Sequence, residues 1–307
     1  MTYAQDMSPI FDSLAALDAQ RGYSHIAIAA SWFVPRSHDL DEHAARVFLD
    51  VLEDVLSRQE RGAGEVGLVL MFRGGFAVFA DSVRRALAPL TVKSASLLTS
   101  VTGAATPIAL LAQKLELAMG AGLGSAATGT IGPVSPAWNP ELVDALGKDL
   151  FALEESERRR MLGLERERRE RELLSNALAL SFGFSNIDED QREALISALG
   201  FEGLGAQLAL GARELEALGV QARWLEGDAR ATSRVLAHAL EDLLGLKKEP
   251  APAYTASGIG TEVEFEMATG EPGAVIASSE RAWLLELDTG RPDPDTGLYQ
   301  GDWLSLR

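Results

Sequence analysis

Glycines, more than acids, bases or thiols, mark the places in this 307-residue chain where the spacing favours chemistry. Phe72-Arg73-Gly74-Gly75 closes one short apolar run and Val101-Thr102-Gly103-Ala104-Ala105-Thr106-Pro107 closes another, with Gly103 standing 28 positions after Gly75 (103 − 75). Paired glycines at a strand-to-helix junction let backbone N–H groups approach a substrate oxygen, and the helix N-terminus adds partial positive charge. Those are the parts of an oxyanion hole, with Gly74, Gly75 and Ala104 as its backbone donors. Such a hole serves acyl transfer only beside a nucleophile and a base. Thr102 and Thr106 are the candidate hydroxyls, and Lys148 is the candidate base of a Ser–Lys-type dyad. Against that, Thr106 suits the cap of a helix beginning at Pro107, and Lys148 suits a solvated helix surface. Ser100 and Ser125 lie near the segment but away from the elbow.

The rest of the inventory is thin. There are four histidines and no cysteine, which removes disulfides, zinc–thiolate sites, iron–sulfur clusters and thiol catalysis. His25 falls in the first strand, His38 and His43 frame the first strong helix, and His238 falls in a late helix, all suited to structural or surface roles. Asp293-Pro294-Asp295-Thr296-Gly297 places two acids at a calcium-loop-like spacing, but the other ligand positions are missing and the segment reads as a turn.

A succession of strands and helices must hold the glycines in place. His25–Phe33 has strand length, and 39–59 is helical, with Ala44, Val47, Phe48, Val51, Leu52 and Val55 at spacings of three and four. Val66–Phe72 predicts a second strand and Phe76–Leu87 a helix. Ser96–Val101 predicts a third strand, Ala105–Gln113 a short helix and Leu115–Met119 a fourth strand. Strands alternating with helices of about a dozen residues predict a parallel α/β sheet.

Residues 139–184 read as helical, with a middle of seven arginines (158, 159, 160, 166, 168, 169, 171) against seven glutamates (154, 155, 157, 165, 167, 170, 172). The balance favours a solvated helix laced by i,i+3 and i,i+4 pairs over a nucleic-acid stripe, which needs excess positive charge. Further helices are predicted over 188–199, 212–218 and 233–244. Lys247–Pro252 then reads as a linker, and period-two runs at 262–266, 283–287 and 303–306 predict a small β appendage. The resulting division is an N-terminal helical segment (1–21), an α/β core (22–148), a helical extension (149–246) and the linker with its appendage (247–307). With 28 Lys+Arg against 45 Asp+Glu, the net charge of −17 argues against coating nucleic acid or an anionic membrane. The N-terminus lacks a signal-peptide pattern and no apolar run reaches bilayer length, so a cytoplasmic protein without a membrane span is expected.

The segment from Leu68 to Pro136 resembles the Clp/crotonase fold. Within that fold it resembles the serine dehydrogenase proteinase family, relatives of signal peptide peptidase A and the Clp proteolytic subunit. That family reads approximately as a strand ending in T-P-G-G, then A-x-S-A-G-T-x-I-A-L-A-A-D-x-I-x-M-G, then L-G-P-I-D-P. Here Gly74-Gly75, Thr106-Pro107-Ile108-Ala109-Leu110, Met119-Gly120 and Gly132-Pro133 fall in the same order, and the likeness spans about 22–245. It implies repeated ββα/βα units. The departures fall on catalytic positions. Gly103 stands where the family has its nucleophilic serine, Ala206 where it has its histidine, Arg73 for the proline of P-G-G, and Ser135 for the aspartate of G-P-I-D-P. The connection 121–131 is also longer and richer in glycine and alanine than the family's.

The resemblance therefore implies a catalytically degenerate, serine-protease-like protein acting as a scaffold, a peptide-binding protein or a partner subunit. It also implies a homo-oligomer or a hetero-assembly with a related subunit, and no cofactor. Two alternatives stay open: an active peptidase using a nearby threonine, and an acyl-thioester enzyme of crotonase type. The last needs an acid near the elbow, and between Arg73 and Glu116 the chain offers only Asp81.

Overall fold

Five short segments line up in chain order as parallel strands: β1 (Ser24–Ala30), β2 (Glu65–Met71), β4 (Thr91–Leu97), β6 (Leu115–Leu117) and β9 (Ala222–Trp224). The computed structural model describes residues 7–31, 40–59, 64–126, 169–170, 172–181, 187–200, 209–246, 252–255, 262–265, 272–287 and 301–306. β1 and β2 are buried at six of seven positions each, as strands covered on both faces must be.

Helices cover both faces. α2 (Glu42–Arg58) starts where the Asp41 carboxylate accepts the His43 and Ala44 N–H groups, and it buries Ala44, Val47, Phe48, Val51, Leu52 and Val55. With α3 (Ala77–Leu87) and α4 (Ala105–Ala109) it packs on Ile26, Ile28, Leu68, Leu70, Leu97, Leu115 and Leu117. Leu195 and Leu199 of α5 (Glu189–Leu199), capped by an Asp188–Gln191 box, join this core, as does Leu215 of α6 (Ala212–Ala217). On the opposite face, α1 (Ser8–Arg21) and α7 (Gly227–Leu243) cover Ala27, Ala29, Val69 and Met71. Residues 172–181 are helical and set Leu174 and Leu178 into the first core; most of the predicted charged helix lies outside the described residues.

A short second strand follows each of three main strands: β3 (Arg73–Gly74) after β2, β5 (Thr102–Gly103) after β4, and β7 (Leu123–Gly124) after β6. β3 and β5 pair in parallel, Val101 bridges to Leu123, and β7 pairs antiparallel with β8 (Ala209–Leu210). The glycines thus stand in a small satellite layer at the ends of β2 and β4.

Two sequence expectations need correction. The third strand starts at Thr91 and ends at Leu97, earlier than the predicted 96–101. Its polar first half finds partners in the fold: Lys93 pairs with Glu65, and Ser94 hydrogen-bonds Tyr23. The C-terminal strands do not form a separate appendage. β12 (Pro272–Ala277) pairs antiparallel with β1, and β13 (Ala282–Leu287) and β14 (Gly301–Leu306) extend the sheet to the order β14-β13-β12-β1-β2-β4-β6-β9. Ala274, Val275, Ile276 and Ala277 are all buried, so β12 shows no period-two alternation to read. β10 (Pro252–Thr255) and β11 (Glu262–Phe265) form a two-stranded ladder. Among the described residues no helix is long and apolar enough to cross a membrane.

Candidate functional site

The candidate elbow is made of backbone. Gly74, Gly75 and Gly103 have φ values of 86°, 86° and 67°, a left-handed conformation that L side chains adopt at a cost. The β3–β5 register sets Gly74 directly beside Gly103. A Cβ built on Gly103 would lie 2.6 Å from both the Cα and the carbonyl oxygen of Gly74, and 2.8 Å from its carbonyl carbon. One on Gly75 would lie 3.0 Å from the Ala104 Cβ. The first atom of any side chain at position 103 would thus run into the neighbouring strand's backbone.

The same closure consumes donors. The Ala104 N–H donates to the Gly74 carbonyl at 2.8 Å and the Gly103 N–H to the Ser125 carbonyl at 3.0 Å. Just beyond Gly75, the Phe76 N–H donates to the Leu40 carbonyl at 3.0 Å. The Ala77 N–H at the start of α3 donates to the Glu170 carboxylate, also at 3.0 Å. Of the three expected oxyanion donors, Ala104 is spent inside the site. Gly74 and Gly75 are buried.

Nearby hydroxyls are mostly committed. Thr106 is buried and donates to the Gly124 carbonyl at 2.8 Å. It sits at the second position of α4 behind Ala104, so it ties α4 to β7 and does not cap the helix as expected. The Ser125 hydroxyl donates to the Gly200 carbonyl at 2.9 Å. Thr102 is half-buried on β5 opposite Arg73, whose Nε donates to the Ser100 carbonyl at 3.0 Å. Lys148, Ser135, Ala206 and His38 lie outside the described residues. His43 is exposed in the first turn of α2, and exposed His238 meets Glu241 at 3.1 Å. Asp81 is engaged by Arg84 and Arg85. Burial opposes its ionisation, but the two guanidinium groups prevail and hold its carboxyl below the ordinary range.

Charged side chains concentrate instead on the other face of the sheet. His25 is buried with Nδ1 2.9 Å from Asp18, whose carboxylate also accepts the His25 N–H; Gly67 provides the space, since a Cβ there would meet the His25 and Tyr23 rings at 2.5–2.8 Å. Glu116 of β6 receives Arg21 at 2.8 Å, both Nε (2.9 Å) and Nη2 of Arg223, and Lys114 at 3.5 Å. Burial alone would push the Glu116 carboxyl up, yet the Arg223 hydrogen bonds and the charges of Arg21, Lys114 and Arg223 hold it below the usual carboxylate range. Sequence inspection passes over this centre because Arg21 and Arg223 reach it from 95 and 107 residues away. Among the described residues no three His, Asp or Glu side chains converge as metal ligands. Set against known proteins, the chain matches no family model, no curated protein and no solved structure.

Proposed function

We propose that the chain is a Clp-fold, serine-protease-like protein that no longer performs serine-protease chemistry and serves as a scaffold, a peptide-binding protein or a partner subunit. Support for the fold comes from parallel strands in chain order, each of three followed by a short second strand at the sheet's end. One observation carries the functional half: the Gly74 backbone stands where a side chain at position 103 would begin, and the Gly74 carbonyl takes the Ala104 N–H that would otherwise face an oxyanion. With no room for a side chain at position 103 and the Ala104 N–H turned inward, the elbow lacks both a nucleophile and one of its donors.

The test is fluorophosphonate labelling and casein hydrolysis with wild-type protein, Gly103→Ser and Thr102→Ala. Wild type and Gly103→Ser are both expected to be unreactive, because the serine enters a backbone conformation and a space that do not accept it. Thr102 reaches solvent from β5, which makes it the residue through which an active-peptidase reading would run. Labelling of wild type that disappears in Thr102→Ala overturns the proposal in favour of that reading. Assembly into a homo-oligomer or with a related subunit belongs to the same proposal, and mass photometry of the purified chain reads it directly.

A further inference from the structure

The sheet face beneath α1 and α7 changes character along one row. Ala27, Val69, Ser96, Glu116 and Arg223 are successive register partners across β1, β2, β4, β6 and β9. The first two are apolar and buried under the helices. The last two belong to a centre of four charges in which one carboxylate faces three cations. Side-chain exposure rises outward from it: 2% for Glu116, 19% for Arg21, 30% for Lys114 and 56% for Arg223.

A lock that only tied α1 and β9 to β6 would be satisfied by one cation on each carboxylate oxygen. Here a third converges, and two of the neighbouring acids are already engaged elsewhere. Asp18 is held by His25, and Glu65 is held by Lys93. Three cations thus face two acids, Glu116 and, from the end of β9, Glu226, in a chain whose net charge is −17. Arg21 spends Nη2 on Glu116 and Arg223 spends its Nε/Nη2 edge, so each guanidinium keeps further N–H donors directed elsewhere. Glu116 therefore orients cationic heads that solvent can still reach, which lowers the ordering cost of receiving an anion.

We propose that this centre is an anion site, with Glu116 as its floor and Arg21, Lys114 and Arg223 receiving a small dianionic ligand, of which a phosphate group is the simplest form. Guanidinium forks match phosphate oxygens, and a lysine supplies a point charge beside them. The state of Lys114 agrees. Burial draws its ammonium below the ordinary value, as do the charges of Arg21 and Arg223, while Glu116 only partly offsets them. A bound anion opposes these effects by favouring the charged ammonium. The site lies on the sheet face opposite the glycine elbow, and its existence does not depend on the proposed function.

The experiment is thermal unfolding of the full chain in titrations of inorganic phosphate, a phosphate monoester and succinate, with ionic strength held constant by chloride. A saturable rise in Tm with phosphate is expected. Greater potency of the monoester marks a small-molecule phosphate as the ligand, and equal potency of succinate marks dianions in general; both support the site. Arg223→Gln and Lys114→Ala, which leave Glu116 paired, are expected to weaken apparent phosphate affinity by about tenfold each. Glu116→Gln keeps the shape and removes the competing charge, so its phosphate response should strengthen about tenfold if it folds. A Tm that follows ionic strength alone overturns the proposal, as does a phosphate response that Arg223→Gln and Lys114→Ala leave unchanged.

Discussion

The glycine elbow and the Glu116 centre sit on opposite sides of one sheet and are made from different materials. At the elbow, Gly74 and Gly103 face each other with no side chain between them, and the Ala104 N–H turns inward to the Gly74 carbonyl. At Glu116, three cationic side chains from α1, β9 and the residue before β6 meet around one buried carboxylate of β6. The motif of small residues falls on the first region, and the concentration of charge falls on the second. A motif of small residues can persist because it packs strands closely, whether or not a reaction takes place there.

The largest effect that sharpens this contrast is expected from Gly103→Ser. Left-handed strain of about 1–3 kcal/mol and overpacking of about 1–3 kcal/mol act together against the Gly74 backbone. Denaturant titration should show a loss of about 2–5 kcal/mol with no hydrolase activity gained. A variant as stable as wild type would mean that the elbow is open. Glu116→Ala comes next, at about 3 kcal/mol, because it strands cations arranged around a buried partner.

Glu116 also sets a pH dependence. Its folded pKa is depressed, so its contribution to stability is fully present above the ordinary glutamate range and is lost as pH falls through the lower folded value. Acid titration of wild type against Glu116→Gln should show the variant with a flatter acid limb, and superimposable limbs would deny the centre its role. Thr106→Val is expected to cost about 1–2 kcal/mol through loss of the hydrogen bond to Gly124, again without any change in reactivity. Smallest is Glu170→Ala, at about 0.5–1 kcal/mol, through loss of the carboxylate at the start of α3. Chemical denaturation resolves both.

The alternation of strands and helices was legible because α2 repeats its apolar residues at helical spacing and β2 is a continuous apolar run. The Gly74-Gly75 and Gly103 junctions were legible because few other residues tolerate those backbone angles. β12 was not, since a strand buried on both faces looks like any apolar stretch, and its pairing with β1 links residues some 250 positions apart, such as Ala27 and Ala277. The first half of β4 was hidden by Lys93 and Ser94, whose polar partners exist only in the fold. Nor does the sequence reveal whether the glycine at position 103 leaves a gap or is filled. Here the register between two two-residue strands decides it.

Exposing the purified full chain to a fluorophosphonate probe, with intact-mass detection and peptide mapping, tests the central claim most directly. The closed elbow predicts no adduct at any residue under conditions that fully label an active serine hydrolase. A stoichiometric adduct mapping to Thr102 or Thr106 would contradict it.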